Sequence, residues 1–310
     1  MRFTRANLHE LKDRIERAPK IIFHRKSHLD DAATQWFLRE AVSLQTHFEF
    51  QWNQNIQIDG ESGELGLDVI HEYAVKGYEQ DDGGFSSAFR CVVEAFYPGE
   101  SQLERLALEP ILLWVDGDDS MGSATKAILG EEHPILEALG LTSQFQSYKT
   151  IYGAYGDEVI NQRFGEQVLT PLYQYHLSRQ KAFRKVRQDC EIRLEGLVGM
   201  CIGRVPSEAL GYPQLLLREM AEQQNQPAPR IFLYRDPGMG LGLVRMDDEI
   251  RLDHPELQEY IGKCGGEGWF FHPGGFLSAC GSGTTPRDPE TIPLSAEQLA
   301  SKLNEIYGEH

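Results

Sequence analysis

What this sequence has little of narrows the field first. No run of about 18 apolar residues occurs, and the opening Met-Arg-Phe-Thr-Arg-Ala-Asn-Leu-His-Glu holds no apolar leader. Neither a membrane span nor secretion is expected, and the cytoplasm is the expected compartment. Cysteine is scarce: Cys91, Cys190, Cys201, Cys264 and Cys280 are odd in number, widely spaced and without a Cys-x-x-Cys pair. That argues against a disulfide framework and against a zinc knuckle. Positive charge is short as well, with 30 basic residues against 47 acidic and a formal net charge of −17. Such a chain repels extended polyanions such as duplex DNA unless basic side chains are gathered locally. A small substrate, a short nucleic-acid end, or metal cations that offset the carboxylates suit that balance better.

What is present suffices for a globular protein of two domains. The 310 residues are 41% hydrophobic and 10% aromatic, enough for a core in each. Residues 21 to 31, Ile-Ile-Phe-His-Arg-Lys-Ser-His-Leu-Asp-Asp, form the organising stretch, where an apolar run ends in two imidazoles and two carboxylates. The pattern predicts a strand over Ile21–Phe23 and a helix from Ala32, with His24, His28 and Asp30 on the loop between. A plainer reading makes Asp30 or Asp31 the cap of that helix.

The same design recurs. Residues 5 to 18 place Leu8, Leu11 and Ile15 at helical spacing, and Pro19 stops that helix. Phe48–Trp52 alternates as a strand, Asn55–Asp59 repeats the alternation and ends on an acid, and Glu64–Glu72 runs from apolar positions into His71-Glu72. Lys76–Gly84 reads as a loop and Ser86–Tyr97 as a helix capped by Ser86 or Ser87. Ile111-Leu-Leu-Trp-Val115 reads as a buried strand that ends at Asp116-Gly-Asp-Asp119. Strands alternating with helices imply a mainly parallel sheet whose carboxyl ends share one edge. Such a sheet would gather His24, His28, Asp30, Asp59, His71 and Asp116 into one cleft.

Residues 127 to 187 are helical in pattern with a Tyr- and Gly-rich interruption near 152 to 156, and Arg179, Lys181, Arg184, Lys185 and Arg187 form the one basic cluster. Charge runs of this kind usually face solvent, and a phosphate-binding surface is the alternative. Strand patterns follow at 190–203 and 230–235, then a hairpin about Pro237-Gly238, a Gly-rich stretch around His272, and a terminal amphipathic helix over 295–307. The expected division is a catalytic α/β domain over 1–187 and a smaller α+β domain over 188–310.

Mixed imidazole and carboxylate donors suit Mn²⁺, and less specifically Fe²⁺ or Zn²⁺. The expected cofactor is therefore a divalent metal, Mn²⁺ before others, and the expected reaction is metal-assisted hydrolysis of a phosphodiester or phosphoanhydride.

These residues also carry a resemblance. The order His24-x-x-x-His28-x-Asp30, Asp59, His71 and Asp116 resembles the motifs of the DHH phosphoesterase superfamily. Ser27-His28-Leu29-Asp30-Asp31, Val115-Asp-Gly-Asp-Asp119-Ser-Met-Gly122 and Trp269-Phe-Phe-His-Pro-Gly-Gly-Phe-Leu277 are closest to its melanocyte proliferating gene branch. The resemblance implies a two-domain fold with the site between a DHH-like α/β domain and a substrate domain, and a divalent-metal phosphoesterase, for that branch a 3′ to 5′ exonuclease on RNA. It implies His24, His28, Asp30, Asp59, His71 and Asp116 as metal ligands, His71, Glu72 and Asp119 as catalytic groups, and His272, Gly274 and Gly275 at the substrate phosphate.

One departure stands out. The Asp-His-His triplet of the superfamily falls near Ile70-His71-Glu72, with the nearest acid at Asp68. The expectation is a manganese-dependent phosphoesterase acting on a nucleotide or a short oligonucleotide end. The altered triplet keeps open a catalytically silent homologue that binds a nucleotide or a protein partner, and the acidity keeps open a small-phosphoanhydride hydrolase. No membrane partner is expected, and a homodimer is left open.

Overall fold

The computed structural model describes residues 8–77, 86–281 and 288–308. The chain divides into two compact units, Met1–Leu177 and Ser178–His310.

The first unit opens with α1 (Leu8–Arg17), whose Leu8, Leu11 and Ile15 are buried as their spacing requires. It continues through β1 (Lys20–His24), α2 (Leu29–Trp36), β2 (His47–Gln51), β3 (Leu65–Leu67) and β4 (Ala74–Val75). These strands form a four-stranded sheet in the order β2-β1-β3-β4, parallel at every pairing. Strand β1 is central, and its side chains alternate between faces. Ile21 and Phe23 join the main core under the helices, whereas Ile22 packs on the other face with Ile58, Val69 and Ala74.

Helices complete the unit: α3 (Ala88–Phe96), α4 (Leu103–Met121), α5 (Ala124–Leu129), α6 (Pro134–Leu139), α7 (Leu141–Tyr152), α8 (Asp157–Phe164) and α9 (Thr170–Asp189), the last extending beyond residue 177. Ser87 caps α3, its hydroxyl accepting the Arg90 amide at 3.1 Å.

Two predicted strands are absent. Asn55–Asp59 follows a short turn over Asn53–Asn55 and runs irregularly across the sheet face. Ile111–Val115 lies inside α4. Its apolar residues continue the helical series Ala107, Leu108, Ile111, Leu112, Val115, all buried, while Leu113 is exposed. An unbroken apolar run cannot separate a buried strand from a buried helix, and Pro110 made the helix reading less natural although α4 continues through it. Most of the predicted Lys76–Gly84 loop lies outside the described residues.

The second unit holds β5 (Glu191–Glu195), β6 (Val198–Ile202), α10 (Tyr212–Gln223), β7 (Ile231–Asp236), β8 (Gly240–Arg245), α11 (Pro255–Cys264), β9 (Trp269–Phe271), β10 (Leu277–Cys280) and α12 (Ala296–Tyr307). The six strands form a mixed sheet, β5-β6-β7-β8-β10-β9, with only β6 and β7 parallel. Its core includes Met200, Leu233, Leu243 and Leu257 with Leu299 and Leu303 of α12. The β7–β8 hairpin appears where Pro237-Gly238 predicts it, the Asp236 carboxylate accepting the Gly238 and Met239 amides. The fold class is thus α/β with a mainly parallel sheet flanked by helices, followed by a mixed-sheet α+β unit. All five cysteines are free thiols, and among the described residues no helix is long and apolar enough to cross a membrane.

Candidate metal centre

At the carboxyl edge of the parallel sheet, β1 ends on His24, which is 5% exposed. Only residues 25 to 28 separate it from α2, so the loop is shorter than predicted. His28 is the N-cap of α2, while Asp30 and Asp31 lie in its first turn. A helix N-terminus favours negative charge there. The loop is braced from elsewhere in the first unit. Asp157, at the start of α8, accepts the Lys26 amide at 3.2 Å and the Ser27 amide at 3.1 Å. Lys149 donates to the Ser27 carbonyl at 3.0 Å, and Asn161 to its hydroxyl at 3.3 Å. Lys26 is held in the left-handed region at φ 65°.

Four potential ligand atoms converge, from His24, His28, Asp31 and Asp68, all within 4.8 Å of one another. Asp68 follows β3 directly, its amide donating to the Val75 carbonyl at 2.8 Å and its φ at 53°. That left-handed conformation is uncommon outside glycine and turns the chain sharply at the sheet edge. The His24 and His28 rings meet edge to face at 4.7 Å.

Nδ1 of His24 and Oδ1 of Asp31 face each other at 3.2 Å. Both are buried, their mutual geometry is poor for a hydrogen bond, and among the described residues neither atom has another hydrogen-bond partner. Buried polar atoms are rarely left so. Two donors on one ion at ~2.1 Å each would stand about 3.0 to 3.5 Å apart, so the pair fits a shared divalent cation.

The electrostatics agree. Burial raises the Asp68 carboxyl to about 8, with the charges of Asp31 and Asp119 adding and Lys76 opposing. Burial raises Asp31 too, against the pull of His24, and the Asp31 carboxylate beside it raises His24. Asp30 lies well above the usual carboxylate range through burial and the charges of Asp68, Asp119 and Asp31. Carboxyls crowded this way are relieved by protons or by a cation.

Several predicted ligands serve otherwise. Asp30 accepts the Ala88 amide at 2.9 Å and the Phe89 amide at 2.8 Å, fastening the start of α3. Asp31, read only as a cap, both accepts the His28 amide at 2.7 Å and faces the cluster. Asp116 is on α4, accepting from the Ser87 amide and hydroxyl and from the Arg90 guanidinium. Asp59 is exposed in a turn whose Glu61 and Ser62 amides it accepts. His71 and Glu72 sit in the loop between β3 and β4, where His71 accepts the Tyr73 amide at 3.3 Å. Asp59 and His71 do share a cleft of about 570 Å³, but with Lys20, Glu49 and Glu64, and neither joins the four donors. Asp119, at the end of α4, is close enough for its charge to act on Asp30 and Asp68.

His272 lies in the second unit, on the turn between β9 and β10. Its Nδ1 accepts the Gly274 amide at 3.0 Å and its carbonyl the Gly275 amide at 2.8 Å. Those two amides close the turn, so they form no open cradle for a phosphate. Of the basic cluster, Lys181, Arg184, Lys185 and Arg187 are exposed, as a solvated face would be.

Sequence reasoning missed the places of Asp68 and Asp157 and the approach of Asp31 to the cluster. Asp68 had a signal: it is the first polar residue after Leu65-Gly-Leu67.

No protein-family model and no curated protein matches the chain. Among solved structures it is similar to the pGpG-specific phosphodiesterase PggH of Vibrio cholerae, at 12% identity over 85% of this chain and 92% of that one, TM-score 0.29. It is also similar to RecJ of Thermus thermophilus in complex with Mg²⁺, at 11% identity over 97% of this chain and 52% of that one, TM-score 0.30. The Mn²⁺ complex of RecJ gives 10% identity over 97% and 54%, TM-score 0.30. The chain thus spans about half the length of RecJ. At these scores the functional reading rests on the side chains of this chain.

Proposed function

We propose that this protein is a divalent-metal-dependent phosphoesterase of DHH type, acting on the phosphodiester of a nucleotide or a short oligonucleotide end. The observation that carries this is the convergence of His24, His28, Asp31 and Asp68 at the carboxyl edge of a parallel sheet, with two buried donor atoms left without hydrogen bonds. Mixed nitrogen and oxygen donors suit Mn²⁺ better than Mg²⁺. The ion, when bound, supplies Lewis-acid activation of water and of a phosphoryl oxygen. The chain's own part is positioning: the β1–α2 loop is clamped by Asp157, Lys149 and Asn161, and Asp30 fastens α3 behind it. The net charge of −17 favours a small or short substrate over duplex nucleic acid.

The divergent Ile70-His71-Glu72 supports the silent-homologue reading less than the sequence suggests. Those residues lie in the β3–β4 loop, so their identity removes no donor from the four that converge.

The test is hydrolysis of bis(p-nitrophenyl) phosphate, dinucleotides and short RNA by metal-stripped protein with and without Mn²⁺. Mn²⁺-dependent release of product, lost in Asp68→Asn and His24→Ala, supports the reading. Binding of Mn²⁺ with no turnover of any of these substrates would favour the silent homologue.

A further inference from the structure

Gln35 lies in the second turn of α2 and is 1% exposed, yet among the described residues neither atom of its side-chain amide has a hydrogen-bond partner. Buried polar groups are rarely left so, because the cost of taking them out of water goes uncompensated.

Its place in the helix ties it to the metal centre. Gln35 stands four residues after Asp31 in the same α-helix. Four residues turn the helix through ~400°, so the two side chains leave one face, a turn apart along the axis. Residues so spaced have Cβ atoms ~5–6 Å apart, and glutamine hydrogen-bonds to aspartate across this spacing. Helical side chains also lean toward the N-terminus, which carries the Gln35 amide toward Asp31. The neighbouring pair makes the same reach: Thr34 Oγ1 donates to Asp30 Oδ1 at 3.4 Å, and a glutamine side chain is longer than a threonine.

Asp31 has an oxygen to receive the amide. Its Oδ2 accepts the His28 amide at 2.7 Å, whereas Oδ1, 3.2 Å from His24 Nδ1, has no hydrogen bond. A carboxylate oxygen offers two acceptor sites, so one can face a cation while the other takes an N–H. Of the eight buried side-chain atoms without hydrogen-bond partners among the described residues, four belong to His24, Asp31 and Gln35. The unpaired atoms thus gather on the ligand cluster and the residue one turn behind it.

We infer that Gln35 is a positioning residue for Asp31: in the metal-loaded centre its Nε2 donates a hydrogen bond to Asp31 Oδ1 and fixes the direction in which that carboxylate meets the ion. The inference rests on the metal-centre reading above. Hydrogen bonds to ligating carboxylates orient them, and loss of such a contact typically costs 10- to 100-fold in metal affinity. The amide is then kept for the ion and not for the fold. An apolar side chain of similar volume should suit the metal-free chain at least as well.

Calorimetric titration of the metal-free full chain with MnCl₂, beside thermal melting without metal, tests this. Gln35→Met keeps the side-chain volume and removes both unpaired atoms. It should melt no lower than wild type and bind Mn²⁺ about tenfold or more weakly. A glutamine with a merely structural role gives the opposite pattern, a lower melting temperature with unchanged affinity. Equal Mn²⁺ affinity in the two proteins overturns the inference and leaves the metal centre standing. If Gln35→Met is destabilised as well, a crystal structure of the Mn²⁺-loaded wild type decides. Nε2 of Gln35 should lie within ~3.2 Å of Asp31 Oδ1, and a separation beyond hydrogen-bond reach overturns the inference. Failure of wild type to bind Mn²⁺ overturns the metal reading, and this inference with it.

Discussion

The Asp157 carboxylate accepts the backbone amide of Ser27 at 3.1 Å, across 130 residues of sequence. It thereby holds the loop that carries His28 from a helix that contributes none of the four donors. Such outer contacts set ligand orientation, and their loss typically costs 10- to 100-fold in metal affinity. Asp157→Ala should weaken Mn²⁺ binding by about tenfold while the far-UV circular dichroism stays that of wild type. Unchanged affinity in calorimetry would show that the loop needs no brace.

Asp68 sets a pH dependence whose sign can be worked out. Its carboxyl titrates at about 8 in the folded chain against an ordinary value of 3.8. The folded state therefore holds this proton more tightly, and the associated stability, full below about 4, is lost as pH rises through about 8. His24, also raised, acts in the same direction. Metal-free protein should melt at a lower temperature at pH 8.5 than at pH 6. Mn²⁺ competes with these protons, so the rise in melting temperature it produces should grow with pH. In Asp68→Asn, both the Mn²⁺ effect and much of the apo pH slope should disappear.

Asp116 separates a structural role from a ligand role. It accepts from Ser87 and pairs with Arg90, a buried guanidinium that also meets Glu109 at 3.3 Å and Glu94 at 3.6 Å. Asp116→Ala should cost about 3 kcal/mol in urea denaturation, because a buried charge loses its nearest partner. The variant that remains folded should keep wild-type Mn²⁺ affinity. A selective loss of metal binding at full stability would restore Asp116 as a ligand.

Asp59 and His71 make the converse case. Both resemble motif residues in the sequence, yet neither joins the four donors. Asp59→Asn and His71→Ala should each leave Mn²⁺ affinity within about twofold of wild type, as independent sites do. A loss of tenfold in either would return that side chain to the centre.

The order of elements around β1 was legible because burial patterns are local. Leu8, Leu11 and Ile15 fall on one helical face, and Ile21–Phe23 form an apolar block between polar neighbours. Ile111–Val115 was not legible as helix, because five consecutive apolar residues hide which of them face the core, and Leu113 turns out exposed. Asn55–Asp59 alternates as a strand does, but pairs with none of the four strands of the parallel sheet.

By itself the sequence determined that a buried strand runs out next to His24, that a helix follows Asp30 and Asp31, and that mixed imidazole and carboxylate chemistry gathers between them. Only the tertiary structure decided which acids face the cluster. Asp30 and Asp31 are adjacent, but ~100° apart around the helix axis. One therefore meets the amides of α3 and the other meets His24. Asp68 joins them because parallel register sets the end of β3 level with the end of β1, a relation between segments more than 40 residues apart that no local pattern encodes.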